Sequence, residues 1–129
     1  MTALITDGLG LDADLLVAAE QASREAIAPF GARRPDLVCA FVSGGDPDDI
    51  AAAGERVAAI TAPGAMVGCS ADGVIGRARG VEGRAAVSVW AAVLPGVSLR
   101  AFHLEVMHAE EGTAVLYTTH YMEEAERLC

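Results

Sequence analysis

Lysine is absent from this 129-residue chain, and arginine supplies all nine basic side chains against eighteen acidic ones, for a formal net charge of −9. Proteins hold nucleic acids and anionic membrane surfaces with clustered Lys and Arg. The arginine clusters here, Arg33–Arg34 and the group Arg77, Arg79 and Arg84, are small and lie in an acidic chain. We therefore expect no nucleic-acid partner. The lack of lysine also excludes a Walker A phosphate-binding loop, which ends in Gly-Lys-Ser/Thr.

Long apolar runs and a basic leader are lacking too. No run approaches the roughly 20 apolar residues that a membrane-spanning helix needs, and Met1–Asp7 has neither a basic residue nor a long apolar core. The sequence thus predicts no signal peptide and no membrane insertion. The three cysteines, Cys39, Cys69 and Cys129, are odd in number and widely spaced. This pattern indicates reduced thiols in a cytoplasmic protein.

The metal-binding residue types are scattered along the chain. His103 and His108 are five residues apart, so they would face opposite sides of a single strand. His120 would share a face with Glu123 and Glu124 only if a helix began at His120. We therefore predict no metal site and no cofactor.

The first predicted helix covers residues 12–28. Its apolar stripe consists of Leu15, Ala19, Ala22 and Ala26, at spacings of four, three and four residues. These spacings place the four side chains on one face of a helix. Because the stripe is mostly alanine, the helix can pack closely against its neighbours but buries little area per residue.

A strand, a helix and a second strand follow. Leu37–Val42 is a continuous apolar run, typical of a strand covered on both faces. Asp46 can cap the next helix, with Pro47 at its first position. Ala65–Cys69 is a short second apolar strand. This order predicts a βαβ unit with parallel strands. The buried side of its helix is predicted to be Ile50, Gly54, Val57 and Ile60.

The remaining pattern indicates a hairpin. The glycine-rich stretch 73–83 is expected to be irregular. In 85–93 every second residue from Val87 to Val93 is apolar and faces one side, and 97–105 would be the return strand. The predicted fold class is therefore α/β: a mixed sheet with a βαβ unit and a C-terminal hairpin, with helices packed on the sheet.

Two glycine-containing turns at strand ends form the candidate ligand site. In open α/β sheets, ligands bind beyond the carboxyl ends of the strands, and the turns after the two parallel strands should lie side by side. Because acidic residues crowd the first turn and no lysine is present, an ammonium group suits it better than a phosphate. The candidate binding residues are Ser43, Gly44, Asp46, Gly68, Cys69, Ser70, Gly73 and Glu82, with Asp46 or Glu82 as the ammonium partner.

Other interpretations of the same residues remain open. The first turn can be a tight turn before a well-capped helix and nothing more. The second turn can owe its glycines to backbone geometry alone. Cys69 or Ser70 can be a nucleophile, although the second glycine of the Gly-x-Ser-x-Gly elbow is missing. The sequence favours binding without catalysis, so we predict that the protein is not an enzyme.

Five pieces of sequence carry a family resemblance over about residues 12–104. The most specific is Val-Gly-Cys-Ser-Ala-Asp-Gly-Val-Ile-Gly, at 67–76. With the helix at 12–28, the pieces resemble the N-terminal FIST domain, a sensory module of prokaryotic signal-transduction proteins. The resemblance implies a domain that binds a small ligand, an amino acid in particular, and signals to an output partner not encoded in this chain. The five pieces are 36–43, 67–76, 81–83, 86–92 and 94–97.

A second resemblance covers about residues 110–129. The run Thr-Thr-His-Tyr-Met-Glu-Glu-Ala-Glu at 118–126 closely resembles the switch-histidine segment of ABC-transporter ATPases. The resemblance implies a strand at 115–117, and it makes His120 the counterpart of the histidine that contacts the γ-phosphate of ATP. Without a lysine-containing phosphate loop, His120 is expected to be vestigial.

These observations predict a chain of two parts. Residues 1–108 would be a partial FIST-like sensory domain, and 109–129 a strand-helix fragment derived from an ABC ATPase. The predicted function is non-catalytic binding of a small molecule in cytoplasmic signal transduction. The main alternative is a fragment of an ABC-transporter ATP-binding subunit without autonomous ATPase activity. A truncated product without function is a further alternative, and it would leave apolar sheet faces exposed.

Overall fold

A computed structural model describes residues 2–108 and 114–118, with side chains through Leu104. Two helices and eight strands are formed in this part of the chain, and a short 3-10 turn at Ala28–Phe30 follows the first helix. The helices are α1 (Leu15–Ile27) and α2 (Pro47–Thr61). The strands are β1 (Leu4–Leu11), β2 (Leu37–Ser43), β3 (Ala65–Ala71), β4 (Gly73–Gly76), β5 (Arg79–Glu82), β6 (Ala86–Val93), β7 (Leu104–His108) and β8 (Ala114–Thr118).

The main sheet is mixed and has four strands in the order β1-β6-β2-β3. β2 and β3 are parallel and are joined through α2, which confirms the predicted βαβ unit. β6 lies between β1 and β2 and is antiparallel to both. Both helices pack on this sheet, so the predicted fold class is confirmed. Neither helix in the described part of the chain is long and apolar enough to cross a membrane.

The core lies between the sheet and the helices. The face of β6 that carries Val87, Val89, Ala91 and Val93 is buried, as its alternation predicts. Leu15 and the alanines of α1 cover it, and the predicted stripe of Leu15, Ala19, Ala22 and Ala26 is buried throughout. α1 begins at its cap Asp14, whose Oδ1 accepts a hydrogen bond from the Leu16 amide at 2.9 Å.

The alanine stripe allows α1 to approach the backbone of β1 very closely. A Cβ atom added to Gly8 or Gly10 would overlap the carbonyl oxygen of Ala22 or Ala18 in α1. One turn further on, the Thr6 hydroxyl donates a hydrogen bond to the Ala26 carbonyl at 2.6 Å. The strand therefore has two glycines where the helix lies against it, because no side chain fits between the two backbones.

α2 begins as predicted but presents a different face to the core. Asp46 caps it and Pro47 is its first residue. Its buried residues are Ala53, Val57 and Thr61, so of the predicted buried side only Val57 is fully buried, while Ile50 is partly buried and packs against the core. The other three predicted positions, Ile50, Gly54 and Ile60, are partly exposed. Because α2 packs against α1 as well as the sheet, its buried face is set by both neighbours.

Several other predictions were wrong. The N-terminal strand β1 was not foreseen. The stretch 73–83 is not irregular, because β4 and β5 form a hairpin there. Residues 97–103 form no strand, and β6 pairs with β1 and β2 instead of a hairpin partner. The C-terminal hairpin is made by β7 and β8.

The sheet face opposite the helices is only partly covered. The β4–β5 hairpin packs over part of it, and the Ser88 hydroxyl donates to the Ile75 carbonyl at 2.6 Å. Beyond the hairpin, Ile5, Phe41 and Val67 are 56%, 39% and 43% exposed. The expectation that β2 is covered on both faces was therefore wrong at Phe41, which stays exposed on this second face.

Candidate functional site

A pocket of about 430 Å³ lies at the carboxyl ends of the two parallel strands. The strand register places Ser43 beside Ala71, so the turns after β2 and β3 meet, as predicted. Ligand sites in open α/β sheets occur at such an edge. The residues on which the argument depends are Gly44, Gly45, Ile50, Ser70, Asp72 and Arg84.

The turn after β2 requires both of its glycines. Gly44 and Gly45 have φ angles of +76° and +77°, a backbone conformation that side chains disfavour. A Cβ atom on Gly44 would lie 2.9 Å from the Ala85 Cα, and one on Gly45 would lie 2.5 Å from Leu15 Cδ1. The glycines thus let the chain turn sharply and leave bare backbone along one wall of the pocket.

Asp46 acts in the structure of α2. Its Oδ1 accepts a hydrogen bond from the Asp49 amide at 2.9 Å, which satisfies a free donor at the helix start. Asp46 does not line the pocket. The structure therefore places this candidate beside the site, as a cap for the helix that forms one side of it.

Ser43 positions the opposite wall. Its side chain is fully buried, and its hydroxyl donates a hydrogen bond to the Arg84 carbonyl at 2.8 Å. The Gly83 amide also donates to the Asp72 carbonyl at 3.5 Å. These bonds hold the segment before β6 against the ends of β2 and β3, so the backbone of Arg84 is fixed although its side chain is exposed.

Asp72 and Arg84 give the pocket one negative and one positive charge. Both side chains are exposed, and neither forms an ion pair or a side-chain hydrogen bond with a described residue. Sequence reasoning missed Arg84 as a site residue. Its proximity follows from the pairing of β6 with β2, in which Ala86 lies opposite Ser43. The sequence shows that Arg84 lies two residues before the predicted strand β6, but it does not show that β6 pairs with β2.

The remaining candidates are divided between the pocket and its surroundings. Gly44 and Ser70 line the pocket. Cys69 is exposed and precedes Ser70, so strand alternation turns it toward the opposite sheet face. Gly68 lies further back, opposite Ala40. Gly73 and Glu82 pair with each other in the β4–β5 hairpin and do not line the pocket. His120 lies outside the described residues.

The described residues offer little for catalysis at this edge. Ser70 lines the pocket, but no described side chain accepts a hydrogen bond from its hydroxyl. No group of three or more His, Cys, Asp or Glu among these residues is arranged to hold a metal ion. What the pocket does offer is two opposite charges, one hydroxyl and bare backbone, which are groups suited to binding.

Comparison with protein-family models, with curated proteins and with solved structures finds no match to this chain. The resemblances to the FIST domain and to ABC-transporter ATPases therefore stay predictions. Of the second resemblance, the strand predicted at 115–117 lies within β8. The helix predicted after it lies outside the described residues.

Proposed function

We propose that this chain is a non-catalytic sensory domain that binds a small zwitterion, an amino acid in particular. The observation that carries the proposal is the pair Asp72 and Arg84, two opposite charges on one pocket without partners among the described side chains. An amino acid presents the complementary pair of charges. The resemblance to the FIST domain supports the same ligand class and a role in cytoplasmic signal transduction with a separate output partner.

Each charge has a suitable role in such a complex. The planar guanidinium of Arg84 can hold a carboxylate through two parallel hydrogen bonds. The carboxylate of Asp72 can accept hydrogen bonds from an ammonium group. The sequence favours Asp46 or Glu82 as the ammonium partner, but neither of those residues lines the pocket. A volume of about 430 Å³ is within the range of small-molecule sites.

The position of the two charges also suits a sensor. Asp72 lies between β3 and β4, and Arg84 lies between β5 and β6, so the two residues flank the β4–β5 hairpin. The backbones at the two ends of this hairpin already meet through the Gly83 amide and the Asp72 carbonyl, and a ligand that bridges the two side chains would add a second connection there. Binding would then reduce the freedom of the hairpin on the sheet, which is a change that a partner protein can read.

Thermal-shift measurements with single amino acids test the proposal. We expect at least one free amino acid to raise the melting temperature, and its N-acetyl and amide derivatives to fail, because each derivative lacks one of the two charges. Arg84→Gln and Asp72→Asn should abolish the effect. Arg79→Gln and Glu55→Gln, which remove exposed charges away from the pocket, should retain it. The absence of stabilisation by any amino acid would refute the proposal.

A further inference from the structure

The two edge strands of the main sheet, β1 and β3, differ in whether side chains bond to their outward-facing backbone amides. On β1, the Leu9 amide donates a hydrogen bond to Glu25 Oε1 at 3.0 Å, and the Leu11 amide donates to Gln21 Oε1 at 3.2 Å. Two side chains of α1 therefore occupy two of the free donors of this edge strand, in its carboxyl-terminal half. Natural sheets protect their edges in such ways, because unpaired strand edges invite pairing with another chain.

The opposite edge, β3, has no such protection. Val67–Ala71 is exposed along its whole length. Apart from its ladder with β2, no described residue forms a hydrogen bond with this stretch. The strand carries no charge and no proline. A neutral, extended and unpaired edge of this kind is a template for a further strand.

Charges of opposite sign mark the two ends of β3. At its amino end, the Gly64 amide donates to the Pro35 carbonyl at 3.0 Å, and Arg34 Nε donates to the Ala62 carbonyl at 2.7 Å. These bonds bring the exposed pair Arg33–Arg34 beside the start of the strand. At its carboxyl end, four carboxylates outnumber the single guanidinium of Arg84: Asp72 and, at the acidic start of α2, Asp46, Asp48 and Asp49.

We propose that β3 pairs with β3 of a second copy of this chain, antiparallel and about a two-fold axis at Gly68. Gly68 is the middle residue of the strand, so this register pairs all of it and sets Val67 opposite Cys69 of the second copy. Antiparallel pairing places the arginines of each copy beside the acidic end of the other. Parallel pairing would place acid beside acid. In this dimer the main sheets of the two copies form one continuous sheet across the paired β3 strands.

A strand of the same chain is a poorer occupant of this edge. The C-terminal strand β8 would be the obvious candidate. In the structure, however, β8 pairs with β7 along its full length. The charge pattern at the two ends of β3 favours a second copy, because the copy supplies the complementary pattern in reverse.

The mass of the chain in solution is the first test. Analytical ultracentrifugation over a micromolar concentration series should show a species of twice the 13.2 kDa of one chain. The dimer should weaken as salt is added, because the contacts between arginines and aspartates at its ends are exposed and screened. A single-chain mass at every concentration would overturn the proposal.

Disulfide trapping tests the register. In a Cys39→Ser, Cys129→Ser background, Val67→Cys should form a cross-linked dimer with Cys69 of the second copy under mild oxidation. Residues directly opposite in an antiparallel pair have Cα atoms about 4.5–5.5 Å apart, which suits a disulfide. The background chain keeps Cys69 alone, and in this register the Cα atoms of the two Cys69 residues are about 8 Å apart, beyond the roughly 7 Å that a disulfide spans. It should therefore not cross-link. Equal cross-linking of the two chains would contradict the register.

A charge-swap pair separates loss of the interface from loss of the fold. Val67→Lys with Cys69→Lys sets like charges opposite each other at two places, whereas Val67→Lys with Cys69→Glu sets opposite charges there. We expect the first variant to have a dimer dissociation constant at least about tenfold higher than the second. Circular dichroism should show both folded, since these exposed side chains face away from α2. Equal dissociation constants in the two folded variants would overturn the proposal.

Discussion

The hydroxyl of Ser43 donates a hydrogen bond of 2.8 Å to the carbonyl oxygen of Arg84, across 41 residues of sequence. This bond joins the end of β2 to the segment before β6. It is made by a fully buried side chain that does not itself line the pocket. Ser43 thus contributes to the site by holding the backbone that carries the Arg84 guanidinium.

Replacing Ser43 should therefore lower the stability of the fold. Ser43→Ala removes a buried hydrogen bond and leaves the Arg84 carbonyl without its partner, so we expect a loss of about 1 kcal/mol in the free energy of unfolding. Urea denaturation measures it. Ser23→Ala is the matched control, because the Ser23 hydroxyl is equally buried but has no hydrogen-bond partner among the described residues. Its removal should change stability by no more than about 0.5 kcal/mol.

Two glycine substitutions should have opposite effects on stability, because Gly10 lies in the contact between β1 and α1 whereas Gly54 faces open space. Gly10→Ala would drive a methyl group into the Ala18 carbonyl, and we expect a loss of about 2–3 kcal/mol from the forced separation of helix and strand. Gly54→Ala in α2 meets open space and should stabilise by about 0.5–1 kcal/mol, because alanine favours a helix. Thermal unfolding of the two variants gives the comparison. Similar effects of both would contradict the close packing of α1 on β1.

The two described cysteines should differ in reactivity. Burial raises the pKa of the Cys39 thiol, because desolvation disfavours the thiolate, whereas Cys69 is exposed. In a Cys129→Ser background, iodoacetamide should modify Cys69 severalfold faster than Cys39 at neutral pH. The Cys39 rate should rise as pH increases toward its raised pKa. Mass spectrometry of the modified peptides measures both rates, and faster modification of Cys39 would contradict its burial.

The same raised pKa sets the direction of a pH effect on stability. Because the folded chain holds the Cys39 proton more tightly than the unfolded chain, this contribution is fully present below the unfolded pKa of the thiol. It is lost as pH rises through the folded pKa. Cys39→Ser should therefore reduce the fall in stability at alkaline pH, as measured by urea denaturation across that range.

Local patterns in the sequence predicted individual elements well. The cap Asp46 with Pro47 marked the start of α2, and the alternation from Val87 to Val93 marked both the existence of β6 and its buried face. Capping and periodicity act over a few residues, so they can be recognised without knowing what lies across the sheet. The meeting of the turns after β2 and β3 also followed from the βαβ pattern.

The pairing of distant strands was not visible in this way. β6 was assigned a hairpin partner immediately after it, whereas its partners are β1 and β2, many residues earlier. The strand β1 was not predicted because it contains Gly8 and Gly10, and glycine is rare in strands unless another backbone comes close. The position of Arg84 at the pocket depends on the pairing of β6 with β2. Because the sequence did not reveal that pairing, it did not reveal Arg84 as a pocket residue either.

The sequence by itself determined the α/β class, the βαβ unit and the edge of the sheet at which the pocket lies. Tertiary structure alone decided which charges reach that site and which strand edge is left open. The physical reason is distance along the chain. Caps and periodicities depend on neighbours within a few residues, whereas the insertion of β6 between β1 and β2 depends on packing against α1 across the whole sheet.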